Sequence, residues 1–431
     1  MKRKIIVVAA YASLFLIMSF ANNPAQNILG SHRDSLFAQC KKFYYESLYS
    51  NAVDVYKNFD INNLSAEELF YLGLSLNNLR RPIDASQYFG RAVQLTPEHN
   101  GYRLQLARTL SQLGKTNEAI SNYENILSSD SNNVTALYEL GLLNFDKKEY
   151  GKAIRIFSKL VNLNINDFLS SYYLGYTTLL SSDPKLAEQA VTHLEHSVAV
   201  NPEYVPAISL LASNKFSSQK YYDAISLYGI ARKLRPENAD FDFKSGLCYE
   251  KLELFRDAAE LYSKAVSLDA SDATVFDHLG YAQFNLNNFD SAATAYKKAL
   301  ELDNNPTYYV NLGFCYARMD SAKESLDAFQ KALQLMPFDK IGYIYNQIAA
   351  AYYSRNNFKE SKKNYEEALL YNPGNIDAQF CVATINDKMK NYKTAAAAYG
   401  KVVALARDDS TQTERIKFST KRIKEIQKGM K

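Results

Sequence analysis

The stretch that decides the fold runs from Gly73 to Pro97, GLSLNNLRRPIDASQYFGRAVQLTP, and its spacing returns along almost the whole chain at intervals of about 34 residues. Gly73 is followed after twelve residues by Ala85, then after four by Phe89, after three by Ala92 and after five by Pro97. Gly246 leads by the same steps to Ala258, Tyr262 and Ala265, and Gly280 to Ala292, Tyr296 and Ala299. Where Ala212 replaces the opening glycine, Ala224, Tyr228, Ala231 and Pro236 still follow, as Ala395 and Tyr399 follow Ala383. A polar turn divides each unit into two helices, as at Leu286-Asn287-Asn288-Phe289 and Arg355-Asn356-Asn357-Phe358, where asparagine tolerates the tight backbone. The second helix breaks at Pro97, Pro202, Pro236, Pro337 or Pro373, because proline lacks an N–H and restricts the residue before it.

This frame resembles the tetratricopeptide repeat, a helix-turn-helix unit with the same small-residue, aromatic and closing-proline spacing. The resemblance implies an all-α, right-handed α-solenoid (superhelix) of about ten to eleven repeats. Ten units fall between residues 66 and 407, and residues 22–65 hold a degenerate one in which Ala52 and Tyr56 take the alanine and aromatic places. Each repeat buries its apolar face on its neighbours, so one continuous array is expected in place of the several globular domains that 431 residues would otherwise suggest. Two departures enlarge connections: Ser181, Ser182, Asp183 and Pro184 between Gly175 and Ala190, and about two residues before the unit of Tyr365 and Ala368. Residues 408–431 read as a basic C-terminal capping helix, with Ile416, Ile423 and Ile426 on one apolar face. Lys421, Arg422, Lys424 and Lys428 then form a solvated cap face or touch an anionic membrane surface.

Residues 1–21 read as a signal peptide: Lys2, Arg3 and Lys4 precede an uncharged run from Ile5 to Phe20, and Ser19-Phe20-Ala21 supplies a cleavage site. The run of 16 residues is short against the roughly 20 of a spanning helix, and the alternative is an uncleaved anchor. Cleavage would take the formal charge from +4 to +1, which offers no electrostatic footprint for nucleic acid. Cys40, Cys248, Cys315 and Cys381 all fall on first helices of separate repeats, too far apart for a bridge, so buried or half-buried free thiols are expected.

Chemistry is sparse. His193 and His196 flank Glu195 on one helical face without the His-Glu-x-x-His spacing of a zinc peptidase, and a surface histidine pair is the expectation. Without a phosphate loop, a nucleophile elbow or a Cys/His pair, neither catalytic residues nor a metal or cofactor is expected, and the chain reads as a non-enzyme. The sequons at Asn63 and Asn133 matter only in a glycosylating host.

In the family the first helices line the concave side, so positions three before, one after and four after the glycine place form one stripe. They read Tyr138, Leu142, Phe145; Tyr172, Tyr176, Leu179; Phe243, Leu247, Glu250; Asp277, Tyr281, Phe284; Val310, Phe314, Ala317; and Asn346, Ala350, Tyr353. The candidate partner-binding residues are Tyr138, Phe145, Tyr172, Tyr176, Phe243, Tyr281, Phe314, Arg318, Asn346 and Tyr353. Rings with little charge suit a protein or peptide partner, though any one of them stands equally as core between first helices. The Lys, Asn and Arg cluster with which some family members grip carboxylate tails is missing, because Arg108, Lys251 and Arg318 lie in separate units.

Three functions follow as expectations. The first is an exported scaffold, in a bacterial periplasm or at the cell envelope, binding a protein partner in its groove. The second is a structural subunit of an envelope assembly tethered by an uncleaved N-terminal helix, the one case in which a membrane is involved. The third is a glycan-binding groove, disfavoured because tryptophan, the usual sugar platform, is absent. The register itself is testable: Ala292→Leu should overpack the helix seam and lower stability by about 1–3 kcal/mol in thermal unfolding, whereas an unchanged melting curve would refute it.

Overall fold

A computed structural model describes residues 24–164, 166–181, 186–337, 340–407 and 409–429. The leader expected at residues 1–21 and the enlarged turn at 182–184 lie outside them. The described secondary structure is helical without strands. Contacts divide the chain after Pro202 into two compact units, each an α-solenoid of successive helix hairpins.

The first unit opens with α1 (Pro24–Tyr45) and the short α2 (Tyr49–Asp54). Four hairpins follow: α3 and α4 (Ala66–Asn78, Pro82–Leu95), α5 and α6 (Asn100–Gln112, Thr116–Ser129), α7 and α8 (Val134–Asp146, Tyr150–Leu163), and α9 and α10 (Phe168–Leu180, Ala187–Val200). The second unit has six, beginning with α11 and α12 (Val205–Ser217, Tyr221–Leu234), α13 and α14 (Ala239–Lys251, Phe255–Leu268), and α15 and α16 (Ala273–Asn285, Phe289–Leu302). It continues with α17 and α18 (Pro306–Arg318, Ala322–Leu335), α19 and α20 (Ile341–Ser354, Phe358–Tyr371), and α21 and α22 (Ile376–Lys388, Tyr392–Leu405), and ends with α23 (Thr413–Gly429).

The sequence sets these boundaries by local chemistry. Asn133, Asp167, Asn238, Asp272, Asn305 and Asn375 cap first helices, each accepting a bond from a backbone N–H of the opening turn. Second helices end two residues before proline, at Leu95, Val200, Leu234, Leu335 and Tyr371, because the residue between cannot stay helical. The turn inside a hairpin closes on a left-handed residue seven places after the glycine position. Asn287 and Asn356 have φ of 61° and 58°, but Arg80, Lys148, Gln219, Glu253, Asp320 and Lys390 do the same, and only Gly114 is a glycine. A side chain in this region costs about 1–2 kcal/mol. The Schellman bonds offset it: at the first such turn Arg81 N–H donates to Leu76 O (2.9 Å) and Arg80 N–H to Asn77 O (3.0 Å).

Packing depends on glycine or alanine where the two helices of a hairpin approach. A Cβ at Gly73 would lie 2.6 Å from the Phe89 ring, and at Gly246 2.5 Å from Tyr262; Gly141, Gly280 and Gly313 meet Phe157, Tyr296 and Phe329 in the same way. The ring therefore lies on the glycine of its own hairpin. Tyr262 also packs with Val275 and Ala282 of the following hairpin. At Gly175 an aliphatic side chain nineteen residues on, Leu194, takes the ring's place.

Cys40, Cys248 and Cys315 are buried and Cys381 half-buried, all four free thiols. Burial pushes the first three up to about 11, 12 and 12. Among the described residues no helix is long and apolar enough to cross a membrane.

Both ends are pinned by ion pairs. On α23, Arg422 donates to both oxygens of Asp387 (2.6 and 2.9 Å), Arg415 pairs with Asp377, and Ile423 and Ile426 pack on the last hairpin. Phe418 meets Phe380 and Tyr399 there, while Ile416 stands beside Lys417, Lys421 and Lys424, so the expected single isoleucine face is only partly formed. At the start, the buried Glu68 carboxylate accepts from Arg33 Nε (3.0 Å), Tyr56 OH (2.8 Å), and Ser65 N–H and Oγ (both 2.7 Å), fastening α1 and the segment after α2 to α3. Burial alone would raise this carboxyl, but the Arg33, Ser65 and Tyr56 bonds outweigh it and hold it at about 2, below the ordinary 4.5. A depressed carboxyl stabilises the fold above its unfolded pKa and loses that contribution as protons arrive. Protection of α1 to α3 against hydrogen exchange, taken relative to the intrinsic rate at each pH, should thus fall as pH drops from about 4.5 toward 2, and Glu68→Gln should abolish that acid limb while making the segment less stable at pH 7.

Candidate functional site

Within each unit the first helices of neighbouring hairpins meet and form a wall. In the first unit Asn77 Nδ2 donates to Thr109 Oγ1 (2.8 Å) and Arg108 Nε to Glu139 (3.0 Å). In the second, His278 Nδ1 lies 2.8 Å from Glu250 Oε2 and Asn311 Nδ2 donates to Asp277 Oδ1 (3.1 Å). Such bonds set the register in which wall side chains present themselves.

The wall of the first unit holds Tyr138 and Phe145 on α7 and Tyr172 and Tyr176 on α9, all half-buried. The rings of Phe145 and Tyr176 are 5.1 Å apart, and those of Tyr172 and Tyr176 5.8 Å. Tyr173 joins them: its ring touches Tyr138 (6.0 Å), Phe145 (5.8 Å) and Tyr172 (5.1 Å) and stacks on Phe157 of the core at 5.4 Å. Burial raises its phenol above the ordinary value.

In the second unit Phe243 packs on Tyr262 (5.8 Å) and His278 (5.5 Å), and Tyr262 OH donates to the same Glu250 oxygen that faces His278 (2.8 Å). Burial, followed by Glu250, pushes the Tyr262 phenol far up. Burial also raises the Asp277 carboxyl, against the pull of His278 and the Asn311 amide. Tyr281 is 45 % exposed, with its edge on Phe255 (5.9 Å), while Phe314 leans on Phe329 (5.5 Å). The exposed Arg318 guanidinium lies 5.1 Å over Phe289, and the side-chain oxygen of the half-buried Asn346 is itself buried without a donor among the described residues. Val310 is buried against Phe329 and Ile344, so this member of the predicted stripe is core: α19 of the next hairpin covers its short side chain.

Several stripe rings are tied across their own turn. Phe145 meets Tyr150 (6.3 Å), Phe216 meets Tyr221 (5.5 Å), Phe284 meets Phe289 (5.3 Å) and Tyr353 meets Phe358 (5.5 Å), each joining a first helix to the first residue of its second. Each such ring spends part of its surface on the turn and is half-buried. Sequence reasoning omitted the place two before the glycine, which carries Tyr71, Tyr173, His278 and Asn311, and of the place five after it, which carries Lys251, Arg318 and Lys388, it took only Arg318 as a candidate. The signal was available, since both places repeat in register.

His196 Nδ1 lies 3.0 Å from Ser171 Oγ, and burial followed by His196 lowers the His193 pKa. No group of three or more His, Cys, Asp or Glu among the described residues is placed to hold a metal ion.

Tetratricopeptide repeat models match residues 104–167, 210–273, 273–306 and 306–369, together just over half of the chain. The chain belongs to the tetratricopeptide repeat family. It is similar to human protein O-mannosyl-transferase TMTC1, 25 % identical over 175 residues that make up 40 % of this chain and 20 % of that protein, so it spans only a fifth of that relative's length. Among solved structures it is similar to MamA (26 % identity, 37 % of this chain and 94 % of that one, TM-score 0.36). YrrB, titled a TPR protein with an unusual peptide-binding site, shares 23 % identity over 43 % of this chain and 93 % of that one, TM-score 0.38. Yeast Tom70 shares 16 % identity over 91 % of this chain and 96 % of that one, TM-score 0.37.

Tyr173 is the hub of the first wall, so Tyr173→Ala should lower stability by about 2–4 kcal/mol and free the Tyr138, Phe145 and Tyr172 rings. Tyr173→Phe should cost under about 1.5 kcal/mol. Chemical denaturation of the two variants checks the contrast, and equal losses would remove Tyr173 from this role.

Proposed function

We propose that this chain is a non-enzymatic, exported scaffold of the bacterial periplasm or cell envelope, holding segments of another protein on its first-helix walls. The fold itself suggests a protein-binding scaffold. The observation that carries the finer reading is the ring-rich wall, in which Tyr138, Phe145, Tyr172 and Tyr176 in one unit and Phe243, Tyr281, Phe314 and Tyr353 in the other all keep part of their surface toward solvent. Aromatic side chains bury a large area with little rotamer entropy to lose, which favours them as anchors for a partner. Export rests on Lys2 to Lys4 and the apolar run Ile5–Phe20. The transferase activity named for the human relative is not carried over, because the match covers a fifth of that protein.

In the test, Tyr172→Ala/Tyr176→Ala and parent chains are purified from the native host, with Tyr222→Ala, a 67 % exposed tyrosine on a second helix, as control. Partners held by the parent and the control should be lost from the double variant; their retention would end the wall assignment. The intact mass of the native chain should correspond to a start at Asn22, and a mass that includes residues 1–21 would favour a tethered subunit.

A further inference from the structure

The charges on the second unit's first helices are divided in an uneven way. Every carboxylate there is engaged. Asp240 pairs with Lys244 (2.8 Å) and the buried Asp242 with Arg232 (2.7 Å) and Lys264 (3.4 Å). Glu250 holds Tyr262 and His278, Asp277 holds Asn311, and Asp377 and Asp387 are taken by Arg415 and Arg422 of the capping helix.

Three cations on the same helices, Lys251, Arg318 and Lys388, meet no carboxylate among the described residues, and all three are exposed. They share one register, five places after the glycine position, on α13, α17 and α21, that is, on every second hairpin. Two rest on aromatic rings of the preceding hairpin: Arg318 on Phe289 (5.1 Å), and Lys388 on Tyr353 (4.9 Å) and Phe358 (5.3 Å). Those rings place the cations at the wall, because Tyr353 is itself a wall residue. A ring holds a cation in position without neutralising it. The wall thus presents positive charge at regular intervals, while each of its carboxylates already holds a hydrogen-bond or ion-pair partner of its own.

We propose that the first-helix wall of residues 203–431 binds an extended, acidic protein segment whose carboxylates reach Lys251, Arg318 and Lys388 in turn. This rests on the wall reading above and gives the partner its chemistry. Neighbouring packed helices lie about 8–10 Å apart, so cations two hairpins apart are separated by about 20 Å, or about six residues of extended chain. A segment of about twelve to fourteen residues with acidic groups at its ends and middle spans all three. Carboxylate pairing supplies direction and register, and the rings between supply area. The carboxylate-tail clamp of some relatives gathers its cations in one cluster, whereas this arrangement strings them along the wall and reads internal acidic residues.

The test uses the full chain and a fluorescein-labelled peptide of about fourteen residues, built of Ser, Ala and Tyr with glutamate pairs at both ends and the centre, beside its glutamine counterpart. Fluorescence anisotropy should show the glutamate peptide binding at least tenfold more tightly than the glutamine one, with affinity falling as salt rises. Lys251→Glu/Arg318→Glu/Lys388→Glu should remove that preference while circular dichroism shows the helices retained, since the three side chains are exposed. Each single reversal should remove part of it. Equal binding of the two peptides, no binding of either, or an unaltered preference in the triple variant would overturn the proposal, as would equally strong competition by polyuridylate. If the glutamine peptide binds as well as the glutamate one and Tyr281→Ala weakens both, the wall reading survives and only the acidic partner is lost.

Discussion

The structure depends on one steric condition, that a first helix offers its second helix only glycine or alanine where the two approach. Gly73, Gly141, Gly246, Gly280 and Gly313 leave no atom where an aromatic ring sixteen places on must lie, and a single Cβ there would stand within 3 Å of ring carbons. The other hairpins carry no more than a methyl there, at Ala107, Ala212, Ala349 and Ala383, and each closed hairpin presents its ring to the one that follows. Repetition then supplies what a large core supplies elsewhere, since each hairpin completes the burial of the one before it.

Because the rings serve closure first, the wall is built from what remains. Phe145 and Tyr353 spend part of their surface on the turn of their own hairpin, and Phe243 and Phe314 lean on the rings of the seam. Rings that lean on the seam are thus held by contacts with the core. Polar groups follow the same economy: Glu250 serves Tyr262 and His278 at once, and so links seam and wall through a single carboxylate.

How much of this was legible in the sequence can be argued position by position. The frame from Gly73 to Pro97 carried the hairpin, its length and its stops, because close approach and helix termination are local and leave fixed residue types at fixed distances. The turn was legible at Asn287 and Asn356, yet Arg80, Lys148 and Glu253 adopt the same left-handed backbone with no residue preference to announce it; the Schellman bonds impose it there. The wall was legible as a stripe but not in its members. Val310 entered the core because the next hairpin covered it, and Tyr173 became a hub although it lay one place outside the stripe.

The sequence by itself determined that the chain is a succession of helix hairpins, where each begins and ends, and which small and aromatic residues face each other, since these follow from periodicity, capping and backbone chemistry along a contiguous stretch. Only the tertiary structure decided which charges are spent. Asp387 is paired with Arg422, 35 residues on, and Glu250 shares a hydrogen bond with His278, 28 residues on, while Lys251, Arg318 and Lys388 meet no carboxylate among the described residues. Pairing of charges depends on which side chains neighbouring helices bring within a few ångströms, and a linear pattern does not carry that distance.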